Sequence, residues 1–245
     1  MLNLKKEVGW LLKDKYQGKS TKNFYKDIER LRAGEPLDYV IGFTEFLGCK
    51  IDLSKRPLIP RSETEFWVEK AIGRIQGKKN LRILDIFAGS GCIGIAILKN
   101  VKNNKCDFFD IDKNNLKQIK INLRINGVGD NCIVRQSDVF KNIKNKYDYI
   151  FANPPYIPQS RRNKIQKSVL KFEPKSALFG GKDGLFYIKK FLKDAQKYLK
   201  KDGKIYMEFD SIQKKEIENL IKKYNYPNYE FRKDQYNKWR WAVIY

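Results

Sequence analysis

Four consecutive residues, Asn153-Pro154-Pro155-Tyr156, follow the segment YDYIFA, whose aromatic and branched residues read as a β-strand. Two successive prolines remove two backbone donors and fix two φ angles. The residue before each proline is pushed toward an extended conformation. The product is a stiff corner with free carbonyls that displays Asn153 and Tyr156 at the end of a strand. The side-chain oxygen of Asn153 and the carbonyl of Pro154 make a pair of acceptors suited to a planar NH2 group. Such a nitrogen is a poor nucleophile because its lone pair is delocalised. Acceptors on both N–H bonds stabilise the positive charge that builds on nitrogen during attack. Tyr156 can pack on the flat face of the same group, so Asn153, Pro154 and Tyr156 are candidate catalytic residues. The exocyclic amine of adenine and the side-chain amide of glutamine suit this corner equally. In isolation the tetrapeptide also reads as a rigid strand end and nothing more.

A second constellation precedes it. ILDIFAGSGCIGIA places Gly89, Gly91 and Gly94 just after one strand and at the start of a helix. Glycine permits the tight turn and lets a ligand approach the backbone. The next strand ends in Asp110, 21 residues after Gly89, where doubly wound folds place a carboxylate on ribose hydroxyls. The glycine spacing also satisfies the dinucleotide pattern, so NAD is a rival ligand. Two carboxylates weigh against it. Asp85, four residues before Gly89, would face and repel a pyrophosphate, yet it can accept from an α-ammonium. Asp138, in QSDVF after the third strand, offers an acceptor to an adenine amino group. Asp85, Asp110 and Asp138 together suit S-adenosylmethionine, which is cationic and carries no phosphate.

These residues need a scaffold. From residue 81 strands alternate with helices: LRILDIF, then CIGIAILKNV, then CDFFDID, then NNLKQIKINLRING, followed by the strands CIVRQSD and YDYIFA. Later come a helix over GLFYIKKFLKDAQKYLK, the strand GKIYMEF, a helix over SIQKKEIENLIKKYN, and the closing strands NYEFRKD and KWRWAVIY. Alternation of this kind implies a parallel sheet covered on both faces, here with an antiparallel hairpin at one edge. The expected class is α/β, a seven-stranded Rossmann-like sheet. Residues 1–33 read as a short helical region, 34–60 as a linker with a β-hairpin at TEFLGCKIDLS, and 61–245 as the catalytic domain. Ser62, with Glu65 three residues on, reads as a capping box for a helix over SETEFWVEKAIGRI.

Composition removes several chemistries. The chain of 245 residues contains no histidine, which rules out an imidazole base, an imidazole metal ligand and a histidine triad. Cys49, Cys92, Cys106 and Cys132 form no C-x-x-C pair, so neither zinc nor dithiol chemistry is supported and no metal is expected. No apolar run approaches a membrane span and the start of the chain has no secretory pattern, so a cytoplasmic protein without a membrane partner is expected. The net charge of +23 fits either attraction to polyanions or a lysine-rich solvated surface.

The linked blocks resemble the release factor glutamine methyltransferases, the HemK/PrmC family. The resemblance covers about residues 33–245. It rests on EPLDYVIGFTEFLG, LIPRSETE, ILDIFAGSGCIGIA, DID, QSDVF, NPPYIP and FEPKSALFGGKDGL, in that order. It implies a class I methyltransferase that uses S-adenosylmethionine to methylate the glutamine of the Gly-Gly-Gln motif in bacterial peptide chain release factors. It also implies cofactor contacts from Phe87, Ala88, Gly89, Ser90, Gly91, Asp110, Asp138, Val139 and Asn153, and substrate contacts from Asn153, Pro154, Pro155 and Tyr156. Nucleic acid is then not required, and adenine-N6 methylation of DNA or RNA is the alternative. The chain departs from the family pattern in four places. Phe87 stands where the family has glycine, and Val139 where a bulky aromatic is frequent. EFDSIQ lacks the glycine of E-x-G-x-x-Q, and the N-terminal helical region is about half the usual length.

Overall fold

The computed structural model describes residues 2–245, with side chains from Leu4 onward. Amphipathic spacing at the start of the chain produces α1 (Leu2–Asp14) and α2 (Lys22–Arg32), followed by a short α3 (Leu37–Ile41). Thr21 caps α2 by accepting the Phe24 N–H at 3.2 Å. Leu11, Phe24, Leu31 and Val40 close a small core of their own. Arg30 joins Asp27 to Glu35, and Arg56 reaches Glu35 from the following segment.

Strands β1 (Phe43–Phe46) and β2 (Cys49–Asp52) form the expected hairpin. Leu47 and Gly48, both at positive φ, make its two-residue turn. Helix α4 (Ser62–Ile75) follows, but the capping box does not form. Arg61 is the N-cap, Ser62 is already helical, and the Glu65 carboxylate instead accepts the Leu47 N–H of the hairpin turn at 2.8 Å. The tertiary partner has outcompeted the local one.

The main unit then runs β3 (Arg82–Ile86), α5 (Cys92–Asn100), β4 (Lys105–Asp110), α6 (Lys113–Asn126), β5 (Val134–Gln136) and β6 (Tyr147–Ala152). Two short helices follow, α7 (Lys167–Phe172) and α8 (Lys175–Leu178), and then α9 (Phe186–Asp194), β7 (Leu199–Glu208), α10 (Lys214–Lys223), β8 (Tyr229–Lys233) and β9 (Trp239–Ile244). The sheet order is β5-β4-β3-β6-β7-β9-β8, parallel except for the closing hairpin at one edge, as the alternation implies. After β5 the chain crosses back to lay β6 on the far side of β3. The crevice beyond the carboxyl ends of β3 and β6 is therefore the topological switch point, where ligands bind in such sheets.

Both faces of the sheet are covered. One core gathers Trp67, Ile95, Phe108, Phe151, Tyr206 and Trp241. The other gathers Leu84, Ile150, Phe191, Met207 and Ile217. Helix α5 approaches β4 so closely that a Cβ on Gly94 would strike the Phe108 ring and lie 2.7 Å from the Cys106 sulfur. The hairpin is docked by a row of amides on α6. Asn126 and Asn122 each bond both the N–H and the C=O of alternate β2 residues, Lys50 and Asp52, while Gln118 accepts the Lys55 N–H. The spacing explains the match: four helical residues rise about 6 Å and two strand residues about 6.6 Å.

Candidate active site

The loop after β3 is shaped by main-chain conformation. Phe87, Gly89 and Gly91 all have positive φ, and Gly91 is the N-cap of α5. At φ 60°, Phe87 occupies a region costly for any residue with a Cβ, which accounts for the glycine usual there. Its ring packs edge-on to Tyr187, centroids 6.1 Å apart. Gly89 donates its N–H to Asp110 at 2.8 Å. Asp110 also accepts from the Asp112 N–H at 2.8 Å and the Asn115 amide at 3.1 Å. Three of about four acceptor sites on this carboxylate are thus used, and one is left for a ligand. Burial raises the Asp110 pKa against the opposing pull of these bonds.

Phe87, Ala88, Gly89, Ser90, Asp110, Asp138, Val139, Asn153 and Pro155 line one cavity at the switch point. Asp138 stands at its edge and pairs with Lys190 at 2.5 Å. Val139 has φ 51°, a rare conformation for a branched residue, and Ser137 holds the turn by donating to the Val139 carbonyl at 2.6 Å. Two expected residues do not line the cavity. Gly91 lies behind it, and a Cβ there would sit 3.1 Å from Ile119. Asp85, 1% exposed, lies under the loop and accepts the Gly94 N–H at 2.9 Å near the start of α5. Its other oxygen has no protein partner. The close approach of α5 covers the carboxylate on the Gly94 side. Burial, reinforced by the charge of Asp110, pushes its pKa up to about 8.

The corner after β6 is held differently. Asn153, Pro154 and Tyr156 line a second cavity, together with Ile165, Val169 and Glu208. The two cavities share Leu58, Arg61, Asn153 and Ala177, so Asn153 stands at their seam. The Asn153 amide donates to Thr64 Oγ1 at 3.3 Å. Glu208, at the end of β7, accepts from Thr64 Oγ1 and Trp67 Nε1, each at 2.6 Å, and from the Tyr156 hydroxyl at 2.9 Å. Burial raises the Glu208 pKa, while its three donors and Arg240 oppose the rise. Burial and the Glu208 charge together push the Tyr156 hydroxyl well above its ordinary value.

Backbone packing completes the corner. Ile157 and Phe179 form an isolated parallel bridge. The Gln213 amide donates to the Tyr156 carbonyl at 2.9 Å. Gly180 and Gly184 press against the corner: a Cβ on Gly180 would strike the Pro155 carbonyl, and one on Gly184 the Tyr156 carbonyl. The glycine absent from EFDSIQ is not needed, since Asp210 at φ −80° and ψ 136° is ordinary extended backbone and caps the turn that brings in Gln213. Glu173 of the FEPKSAL block accepts from the Ile59 N–H at 3.2 Å and from Arg61 at 2.6 Å, fixing the loop shared by both cavities. Arg61, Thr64, Glu173, Glu208 and Gln213 were not singled out by sequence reasoning. Their signal lay in the blocks LIPRSETE, FEPKSALFGG and EFDSIQ, each of which supplies one side of the corner.

A family model described as "Methyltransferase small domain" matches residues 72–179. A release factor glutamine methyltransferase of Flavobacterium psychrophilum is 34% identical over 219 residues, 88% of this chain and 77% of that protein. One of Streptococcus pneumoniae is 36% identical over 226 residues, 91% of this chain and 80% of that protein. Two solved structures share the fold. The ribosomal protein L11 methylase of Lactobacillus delbrueckii subsp. bulgaricus has a TM-score of 0.58 at 18% identity, covering 80% of this chain and 83% of its own. The hMettl16 catalytic domain in complex with MAT2A 3'UTR hairpin 6 has a TM-score of 0.64 at 19% identity, covering 81% and 76%. With this identity sustained over most of both partners, and with the motif residues gathered at one switch point, the chain belongs to the release factor glutamine methyltransferase family.

Proposed function

We propose that this methyltransferase transfers a methyl group from S-adenosylmethionine to the side-chain amide nitrogen of the glutamine in the Gly-Gly-Gln motif of bacterial peptide chain release factors, modulating translation termination. The observation that carries this reading is the seam at Asn153, where the cavity at the switch point and a second cavity meet. The relatives' names point to the release factor glutamine.

The lining of the first cavity fits the cofactor. Asp110, Asp112 and Asp138 contribute three carboxylates, and Arg61 is the one Lys or Arg side chain in that lining, a set hostile to a pyrophosphate and suited to a cation. Asp110 keeps an acceptor site for ribose hydroxyls, and Asp138 has its second oxygen for an adenine amino group. A Cβ on Gly89 would meet nothing within 4 Å, so the loop backbone stays open to close approach. Ile111, Val139 and Phe87 supply apolar walls.

S-adenosylmethionine, when bound, supplies an activated methyl group on a sulfonium. The chain's part is to bind, orient and stabilise. Asn153 Oδ1 and the Pro154 carbonyl accept the two N–H bonds of the glutamine amide and stabilise the charge that grows on its nitrogen. Tyr156, fixed by Glu208, presents its ring to the flat face of the amide. Alignment of nitrogen with the methyl carbon supplies the remainder of the rate. No base is required, because the methylated nitrogen is acidic and sheds its proton to water. Residues 1–33 are proposed as a docking region for the release factor, 34–60 as the linker and 61–245 as the catalytic domain. No helix among the described residues is long and apolar enough to cross a membrane.

A labelled-methyl transfer assay with purified release factor, DNA and RNA side by side tests the reading. Label is expected on the release factor, on a peptide containing the Gly-Gly-Gln motif, and absent when that glutamine is replaced. Label on adenine instead would overturn it in favour of the nucleic-acid alternative.

A further inference from the structure

Asn153 and Tyr156 hang from one buried carboxylate, Glu208, directly for Tyr156 and through Thr64 for Asn153. Glu208 Oε2 accepts from both Thr64 and Trp67 and so acts as an acceptor. Thr64 has a single hydroxyl proton, and at 2.6 Å that proton is committed to Glu208. The Thr64 oxygen then offers only lone pairs to Asn153. The Asn153 amide can meet it only with its Nδ2–H. That leaves Oδ1 as the end of the amide available to the cavities Asn153 lines. Trp67, a donor only, occupies the same Glu208 oxygen as Thr64 at 2.6 Å and enforces its acceptor role.

We propose that Glu208 is the positioning residue that sets which end of the Asn153 amide faces the substrate, and thereby restricts the site to groups that donate N–H. The proposal rests on the methyl-transfer reading for the identity of the substrate, but not for the direction of the bonds. An amide presented the other way round would offer donors to an NH2 group and repel it. The residue acts at a distance from the reacting atoms: its effect passes through one hydroxyl.

The test is a pair of substitutions and their combination. Glu208→Gln keeps the shape of the side chain but can donate to Thr64, which frees the threonine proton to turn toward Asn153. Methyl transfer to the release factor is expected to fall about 100-fold in kcat, with the cofactor dissociation constant changed by less than about threefold. Thr64→Val, which removes the hydroxyl, should show a comparable loss, and Thr64→Ser, which keeps it, should remain at least about tenfold faster than Thr64→Val. The double variant Glu208→Gln with Thr64→Val should be no slower than either single variant, because both break one chain of bonds. Full activity in Glu208→Gln, or losses that multiply in the double variant, would overturn the proposal. If Glu208→Gln does not fold, the Thr64→Val and Thr64→Ser pair decides the matter: equal rates overturn it. The Asn153 side-chain amide protons, followed by 15N NMR, give a readout independent of turnover. They should exchange slowly in the unmodified chain and faster in Glu208→Gln. A wild-type chain inert on release factor would sink the methyl-transfer reading, while this exchange difference would still test the relay.

Discussion

Two turns meet at the same edge of the sheet and are rigid for opposite reasons. The loop after β3 is made by backbone conformation: positive φ at Phe87, Gly89 and Gly91, tied down by carboxylates that accept main-chain N–H groups. The corner after β6 has no positive φ from Asn153 to Pro158 and takes its shape from prolines. Its side chains are held by partners from α4 and β7, and the Tyr156 carbonyl by the Gln213 amide. The carboxylates that tie down the first turn, Asp85 and Asp110, lie 25 residues apart in the chain, whereas Thr64 and Glu208 of the corner are 144 residues apart. On the proposed reading, the loop that takes the cofactor is tied down by carboxylates close in sequence, and the corner that takes the amide is held from several sides.

The sharpest way to break the comparison is Asn153→Ala. It should lower methyl transfer about 1,000-fold, the upper end for loss of one charge-stabilising group, while cofactor affinity, measured by calorimetry, hardly moves. A large loss of cofactor binding would mean that the corner serves the loop's task as well. Gly184→Ala is next. Its Cβ would run into the Tyr156 carbonyl and lie 2.6 Å from the Gln213 amide, at a φ of 76°. A loss of about 3 kcal/mol in denaturant unfolding is expected, from overpacking and strain together, with transfer impaired more than cofactor binding.

Asp85→Asn probes the local half through pH. The folded-state pKa of Asp85 lies at about 8, above its ordinary value of 3.8, so the folded chain holds a proton that the unfolded chain releases. The stability this contributes is fully present below about pH 4 and is lost as pH rises toward 8, by up to about 1.4 kcal/mol per pH unit. The asparagine variant does not titrate there. Its melting temperature should therefore exceed that of the wild type by a margin that widens from pH 5 to pH 8 and then levels off. A margin constant with pH would refute the assignment. The smallest effect belongs to Gly89→Ala. A Cβ there touches nothing, so only the left-handed backbone opposes it, at about 1 kcal/mol of unfolding free energy. A much larger cost would mean that the loop is packed as tightly as the corner.

The same contrast decides what could be read from the amino acids. The strands, the hairpin over TEFLGCKIDLS and the α/β order follow from local periodicity and glycine placement, and the structure keeps them. Asp110 sits where its spacing from Gly89 puts it, beside the loop. The burial of Asp85 is not legible in the sequence, because position along a strand does not reveal how closely a helix will cover its end. The capping box at Ser62 was misjudged because Glu65 found a better donor on the hairpin. Glu208 and Thr64 were not legible as a pair at all, since no periodicity links residues that meet only when β7 and α4 pack together.

The amide row on α6 carries a consequence for how the chain behaves in a crowded solution. Asn126 and Asn122 occupy the hydrogen-bonding positions that a neighbouring strand would take on β2. A helix thus serves as a counterfeit third strand, and that border of the hairpin offers no template on which a second molecule could polymerise.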